Sequence, residues 1–319
     1  MKRLSNYAKY AWGLLLLNQL VILWGAYVRA TGSGAGCGSH WPLCNGEVIP
    51  PPHQIETVIE FTHRVTSGLA LRGVLGLLIF AFRLYPRGHR VRLGAVLSSI
   101  FIILEALVGA VLVRFEWVAF DASMGRVISM GVHLVNTFLL LAALSLTAWW
   151  ASGGGALRLR GLGAALWGLG WGFLGLLVLG VTGAITALGD TLFPAASLAE
   201  GLAADFHPES HFLVRLRVWH PVVALTVGFY LALTAGLIAM FRPQRSIRRA
   251  ALALGALFVI QLAAGLVNLL LRAPVWMQII HLLLADLVWI SAVLLAAETF
   301  SQAAQPAAEA ERPAQPLAA

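Results

Sequence analysis

Charged residues are scarce in this chain of 319 residues. Only 11% of its residues are Asp, Glu, Lys or Arg, whereas a soluble domain carries about 25%. Hydrophobic residues make up 59%, and the few charges fall between apolar runs of about 18 residues or more, which are long enough to cross a bilayer. Because a backbone in lipid must satisfy its own hydrogen bonds, we expect these runs to be helices. The composition argues against a soluble protein and predicts an all-α polytopic membrane protein.

Eight runs are long enough to span the membrane. The segment Met1–Tyr10 is too short and too poor in the expected signals for a cleaved signal peptide or transit peptide, so we expect the first run to be a retained helix. The predicted spans are roughly 11–29, 54–83, 93–113, 124–149, 161–188, 213–240, 248–271 and 274–299.

Positive charge is missing from two of the connections. Residues 30–57 and 189–212 contain no Lys or Arg, and the second of them is acidic. The Lys and Arg residues cluster on the other side, as Lys2, Arg3, Lys9, Arg87, Arg90, Arg92, Arg158, Arg160, Arg242, Arg245, Arg248 and Arg249. The positive-inside rule then places both termini in the cytoplasm of a cell-membrane protein. It also explains the net charge of +8 without nucleic acid as a partner. The tail 301–319, rich in Ala, Pro and Gln, is expected to be disordered and cytoplasmic.

Cysteine is nearly absent, since the chain has only two. Cys37 and Cys44 share the first outer loop, on the oxidising side of the membrane, so we expect them to form a disulfide. The pair is either a structural staple over the first helices or a redox-active pair. The sequence alone does not choose between these two roles.

The two halves of the chain resemble each other at a nearly constant offset. Gly25-Ala26 matches Gly183-Ala184, and His63 matches His220. The stretches 104–109 and 260–265 match next, and His133-Leu134 matches His281-Leu282. We therefore predict two pseudo-symmetric four-helix bundles, residues 1–150 and 151–300.

Four of the nine histidines lie inside predicted spans, namely His63, His133, His220 and His281. Ionisable residues at membrane depth are rare and mark functional sites. Each lies about 7–10 residues past the outer start of its helix, or about 10–15 Å deep. Two imidazoles at one depth in a bundle can ligate one heme iron, which predicts a His63–His133 pair and a His220–His281 pair. The alternatives are interhelical hydrogen bonds, a quinone site or a proton relay. The loop histidines His40, His53, His89, His207 and His211 receive no role.

The two halves differ one helical turn before their first histidine. The first half has Glu60, with Arg64 four residues later, and the second half has Arg217. A carboxylate beside a heme edge could accept protons during oxidation of a substituent, or it could simply pair with Arg64. Arg64 and Arg217 are candidate partners for heme propionates. Glu105, Arg72 and Asp286 are further charges inside spans whose roles stay open.

These residues together resemble the heme A synthase family, over all eight spans. The motifs that carry the resemblance are Arg29-Ala30-Thr31-Gly32-Ser33-Gly34, the cysteine loop, Glu60-Phe61-Thr62-His63-Arg64, Trp219-His220-Pro221 and the two His-Leu pairs. The resemblance implies an enzyme that oxidises a methyl group of heme O to the formyl group of heme A, through a hydroxymethyl intermediate, for cytochrome oxidase.

The resemblance also implies roles for single residues. His63 and His133 would hold the substrate heme O, His220 and His281 would hold a heme b, and Glu60 would be the catalytic carboxylate. Cys37 and Cys44 would be the outer-loop pair of the family. Heme O synthase and oxidase assembly factors are the implied partners besides membrane lipid, and the sequence leaves open whether the chain forms a homo-oligomer.

Two other functions compete with this one. A diheme electron carrier between quinol and an outer acceptor would need the same four histidines, but it would not need a carboxylate beside only one pair. A transporter is disfavoured because no predicted span shows an obvious interruption.

Overall fold

The structure is a computed structural model that describes residues 4–158, 163–242 and 244–302. Every regular element in these residues is helical. The α-helices are α1 Asn6–Ala30, α2 Ile55–Leu84, α3 Arg90–Arg114, α4 Met124–Ala151, α5 Ala164–Leu192, α6 Leu198–Phe206, α7 Phe212–Leu216, α8 Trp219–Phe241, α9 Arg245–Leu270 and α10 Val275–Gln302, and a 3₁₀ turn covers Ser33–Ala35.

Eight segments of the described chain are long and apolar enough to cross a membrane, which confirms the predicted number of spans. Helices α1 to α5, α9 and α10 each form one span, and α7 and α8 together form the sixth, Phe212–Phe241. The chain is a multi-pass membrane protein. Lys2, Arg3, Arg160, the first two residues of predicted span 161–188 and the tail beyond 302 lie outside the described residues.

The sixth span is interrupted near its start, although the sequence predicts one continuous helix over 213–240. Helix α7 ends at Leu216 and α8 begins at Trp219. Pro221, in the first turn of α8, has no N–H with which to continue a helical ladder from α7. The interruption lies at the end of the span, so His220 stands in the first turn of α8.

Four helices of the first half pack around one another. Helix α1 contacts α2 and α4, and α3 contacts the same two helices. Their shared core consists of aliphatic side chains such as Leu14, Leu77 and Leu144, of which at most 5% is exposed. In the second half, α5 packs on α8, α8 on α9, α9 on α10 and α10 on α5. The two halves thus repeat a ring of four helices, while their division into two functional domains stays a prediction.

The halves meet along α4 and α10, with α1 and α5 beside them. Phe138 of α4 stacks on Trp289 of α10 with ring centroids 4.8 Å apart, and Trp289 Nε1 donates to the Phe138 carbonyl at 2.6 Å. Gln19 of α1 donates to the fully buried Asp286 of α10. These contacts bring the helix that carries His133 directly against the helix that carries His281.

Arg29 also joins the halves, at the end of the molecule where α1 leads into the cysteine loop. Its guanidinium donates to the Ala187 carbonyl and the Thr191 hydroxyl of α5, both at 2.8 Å, and to Gln278 Oε1 of α10 at 2.7 Å. All three acceptors are neutral. One side chain of the first half therefore holds two helices of the second.

Candidate functional site

The cysteine loop packs against the first turns of α2. Cys37 and Cys44 form a disulfide, as the sequence predicts. The Thr57 hydroxyl of α2 donates to the Gly36 carbonyl at 2.7 Å. A Cβ at Gly36 would lie 2.4 Å from the Glu56 backbone, so only glycine permits this close approach.

Glu60 lies under the loop and is 4% exposed. One carboxylate oxygen accepts the Cys37 backbone N–H at 2.8 Å, and the other accepts Arg64 Nη2 at 2.5 Å. Arg64 Nη1 in turn donates to the carbonyls of His40 and Leu43, both at 2.6 Å. The predicted Glu60–Arg64 pair is therefore present, and it also binds the backbone of the disulfide loop. A carboxylate held by backbone and guanidinium donors in this way has a fixed orientation.

The four histidines of the spans lie on α2, α4, α8 and α10, which all run away from the end of the molecule that carries the cysteine loop. Each lies within about three turns of that end of its span. All four are half-buried. They therefore occupy similar depths, as the sequence predicts for paired ligands.

Glycines on neighbouring helices make room for three of the four rings. A Cβ at Gly25 would lie 2.9 Å from His63 Cε1, and one at Gly183 would lie 2.9 Å from His220 Cε1. A Cβ at Gly265 would lie 3.0 Å from His281 Cε1. Real Cβ atoms hardly ever approach ring atoms this closely, so an alanine at these positions would displace the ring. Among the described glycines, none lies this close to the fourth histidine, His133.

The rings of the second pair lie close together. The ring centroids of His220 and His281 are 6.3 Å apart and their planes are nearly perpendicular, at 87°. Two imidazoles on opposite sides of one metal, with metal–nitrogen bonds of about 2 Å, place their centroids about 6 Å apart. Thr182 Oγ1 lies 3.3 Å from His220 Nδ1 and holds that ring on its other side.

The first pair is arranged differently. His133 Nδ1 lies 3.4 Å from the Glu105 carboxylate of α3, and His63 lies within range of charge interaction with both groups. The Nδ1 atoms of His63 and His281 are buried without a hydrogen-bond partner. Buried imidazole nitrogens without partners are costly in an apolar interior, and an iron ligand bond at the other nitrogen fixes which one carries the proton. The donor chemistry of the four histidines fits heme iron, and the spacing of His220 and His281 fits two ligands of one metal.

Arg217 lies where the sequence predicts it, one turn before His220, but its charge is already matched. Its guanidinium donates to Asp190 at 2.9 Å, and to Asp205 at 2.8 and 3.0 Å. Asp205 belongs to α6, a helix within the segment that the sequence predicts as an outer loop. Arg217 therefore joins α5, α6 and α8 beside the second pair.

Sequence reasoning left several partners of the site without a role. Asn136 and Thr137 both donate to Glu105, and Thr182 contacts His220. Asn136 and Thr137 follow His133 by three and four positions, so they lie on the same face of α4, and this spacing could have identified them.

Other predicted polar residues lie apart from the histidine pairs. Arg72 is exposed and donates to the Gly68 carbonyl of its own helix. The loop residues His89, His207 and His211 each accept a nearby backbone N–H through the ring. These side chains therefore serve local structure.

The chain matches one family model and several curated proteins. The family model COX15-CtaA, described as cytochrome oxidase assembly protein, matches residues 8–293. Protoheme IX farnesyltransferase from one strain of Thermus thermophilus is 57% identical over 301 residues, which are 94% of this chain and 50% of that protein. The protein of the same name from a second strain of that species is 56% identical over the same shares. Heme A synthase of Bacillus cereus strain AH187 is 41% identical over 117 residues, 37% of this chain and 36% of that protein.

The chain spans half the length of the two Thermus relatives. The family match, by contrast, extends from the first helix into the last and includes all four histidines and the cysteine loop. The resemblance predicted from the motifs is confirmed: the chain belongs to the COX15-CtaA family of cytochrome oxidase assembly proteins, the family of the heme A synthases.

Proposed function

We propose that this protein is a heme A synthase, which oxidises a methyl substituent of heme O to the formyl group of heme A. The observation that carries the proposal is the asymmetry of two otherwise similar histidine pairs. A buried carboxylate with fixed orientation, Glu60, stands one turn before His63, whereas a neutralised guanidinium stands before His220. The first pair therefore has a carboxylate at the position where the second pair has a guanidinium.

The reaction removes electrons in two stages. Conversion of the methyl group to hydroxymethyl removes two electrons and adds one oxygen atom. Conversion of hydroxymethyl to formyl removes two more electrons and two protons. The protons need an acceptor at the substrate, and the electrons need a route away from it.

Residues of this chain supply both needs. His63 and His133 would hold heme O as the substrate, and Glu60 would accept protons from the reacting substituent. His220 and His281 would hold a heme b, which supplies one-electron transfer when bound. Arg64 stays paired with Glu60 and the loop, so it orients the carboxylate and could reach a propionate only by exchanging partners.

The lengths of the relatives indicate how the farnesyltransferase name relates to this chain. The Thermus proteins are twice as long as the region that matches. We assign heme oxidation to the matched region and farnesyl transfer to the rest of those proteins. An enzyme that makes a farnesylated heme is then the expected partner of this chain, and oxidase assembly factors would receive its product.

The direct test is to express the full chain in cells that make heme O but no heme A, and to identify the extracted hemes by mass. Heme A, with a hydroxymethyl species as a minor product, is expected. Two bound hemes that quinol reduces, without any heme A, would show a diheme electron carrier instead. Conversion of protoheme to a farnesylated heme by the chain alone would overturn the assignment of the matched region.

The membrane topology is tested separately. We propose that the termini face the cytoplasm and that the Cys37–Cys44 loop faces the outside, from the Lys and Arg distribution. A cysteine-reactive label that cannot cross membranes should reach a reduced Cys37–Cys44 pair in intact cells. Labelling only after permeabilisation would reverse the orientation.

A further inference from the structure

A buried charge in the first half has no part in the reaction proposed above. The Glu105 carboxylate of α3 lies inside the bundle, 3.4 Å from His133 Nδ1, and its side chain is 19% exposed. A carboxylate at membrane depth is costly unless donors surround it. Glu105 therefore needs donors around it.

Two side chains of α4 hold Glu105 in place. Asn136 donates to one carboxylate oxygen and Thr137 to the other. Asn136 also donates to the Phe101 carbonyl at 2.8 Å, which fixes its amide. Both donors lie one turn after His133, so the same stretch of α4 carries the histidine and the groups that orient its carboxylate neighbour. The carboxylate is thus aimed at the ring.

The second half replaces this whole arrangement. By the offset that relates His133 to His281, the counterparts of Asn136 and Thr137 are Leu284 and Ala285. The counterpart of Glu105 is Gln261, whose amide nitrogen lies 3.3 Å from His281 Nε2 and whose oxygen has no partner. The acid and both of its donors are therefore present together in one half and absent together in the other. That pattern is expected of a functional unit.

The rings of His133 and His281 also pack differently against the matching glycines of the two halves. His281 lies against Gly265, one turn after Gln261. In the first half the matching Gly109, one turn after Glu105, has no atom within 4 Å of the place where a Cβ would be. His133 therefore does not pack on its glycine, and its Nδ1 atom lies 3.4 Å from the Glu105 carboxylate instead.

We propose that Glu105 is a positioning residue that acts through His133 on the iron of the first site. In the proposed substrate complex His133 would hold the iron through Nε2, which would leave its Nδ1–H facing the carboxylate. A ligand imidazole whose other N–H is held by a carboxylate is a stronger electron donor, and stronger donation stabilises the oxidised iron. The neutral Gln261 gives His281 no such support. The first iron is thereby held at a lower midpoint potential than it would have with an amide partner. This inference rests on the proposed ligand role of His133.

The test exchanges the two side chains, which have the same size. Full-length protein in detergent, with heme O supplied to the first site, is titrated potentiometrically while absorption spectra are recorded. Glu105→Gln should raise the midpoint potential of the first heme and leave the second unchanged. The triple variant Gln261→Glu, Leu284→Asn and Ala285→Thr should lower the potential of the second heme. Unchanged potentials in both variants, with both hemes bound, would overturn the inference.

His133→Ala separates this inference from the proposed function. Loss of the first heme in that variant, together with unshifted potentials in Glu105→Gln, would refute the role of Glu105 alone. Retention of the first heme with an unchanged spectrum would refute the ligand assignment on which both depend. Thr182→Val, which alters only the neighbour of His220, should leave the potential of the first heme unchanged, and a change there would show that the readout lacks site specificity and would remove the support for Glu105.

Discussion

The two halves of this protein place opposite charges at the same position. One turn before its first histidine, the first half has a carboxylate, Glu60, bound by a guanidinium and a backbone N–H. The second half has a guanidinium, Arg217, bound by two carboxylates. In both clusters each charged group has an oppositely charged partner, as burial at the edge of a membrane requires. The duplication has thus kept an ion-paired cluster and exchanged the group that stands beside the histidine.

The partners of these two groups differ as well. Glu60 and Arg64 bind the short disulfide loop, whereas Arg217 binds α5 and α6. The first cluster therefore connects a carboxylate, Glu60, to the disulfide loop. The second cluster connects helices to each other. We expect substitutions in the first to affect chemistry and substitutions in the second to affect stability.

The largest expected effect is on the reaction. Glu60→Gln should lower the yield of heme A by about 10²–10⁴-fold, the usual contribution of a general base, while both hemes and the disulfide are retained. Product is measured by mass analysis of extracted hemes, and heme content by absorption of the purified protein. Glu56→Gln, an exposed carboxylate one turn away, is the matched control and should behave as the parent. Normal product from Glu60→Gln would end its catalytic role.

The next effect is on stability. Arg217→Gln leaves Asp190 and Asp205 without their cation and should cost about 3 kcal/mol, because two partly buried carboxylates then face each other unpaired. Thermal unfolding in detergent measures this loss. Adding Asp190→Asn and Asp205→Asn to the same variant should restore most of it. A single variant as stable as the parent would contradict the structural role assigned to this cluster.

The smallest effects concern the glycines. Gly25→Ala and Gly183→Ala should each displace one histidine ring and lower heme retention at that site alone by about tenfold or more. The protein should stay folded, because the atoms that the new methyl group meets belong to the movable ring of His63 or His220. Gly109→Ala should be close to neutral because its surroundings are open. Heme-to-protein ratios after purification distinguish these cases. Equal losses in all three would show that the glycines affect helix packing rather than the rings.

Much of this architecture follows from local features of the sequence. The length of the apolar runs and the placement of Lys and Arg predict the eight spans. A helix needs a minimum length to cross the bilayer, and its backbone must form all of its hydrogen bonds internally. The disulfide follows from two cysteines in one loop. The alignment of the halves matches His63 to His220 and Glu60 to Arg217 without any knowledge of the fold.

Other features depend on contacts between distant parts of the chain. The interruption before His220 is compatible with a continuous apolar pattern, and only the missing N–H of Pro221 hints at it. Helix α6, with nine residues, is too short to stand out, although it supplies Asp205 to Arg217. The support of Glu105 by Asn136 and Thr137 depends on how α3 turns toward α4, which periodicity does not determine.

The stacked pair of Phe138 and Trp289 sets the spacing between the two halves. These rings lie on the helices of His133 and His281, and a hydrogen bond from the indole locks them together. Electron transfer weakens steeply with distance, so under the proposed function the two sites would need a constant separation. The aromatic contact would then act as a spacer between the helices of His133 and His281.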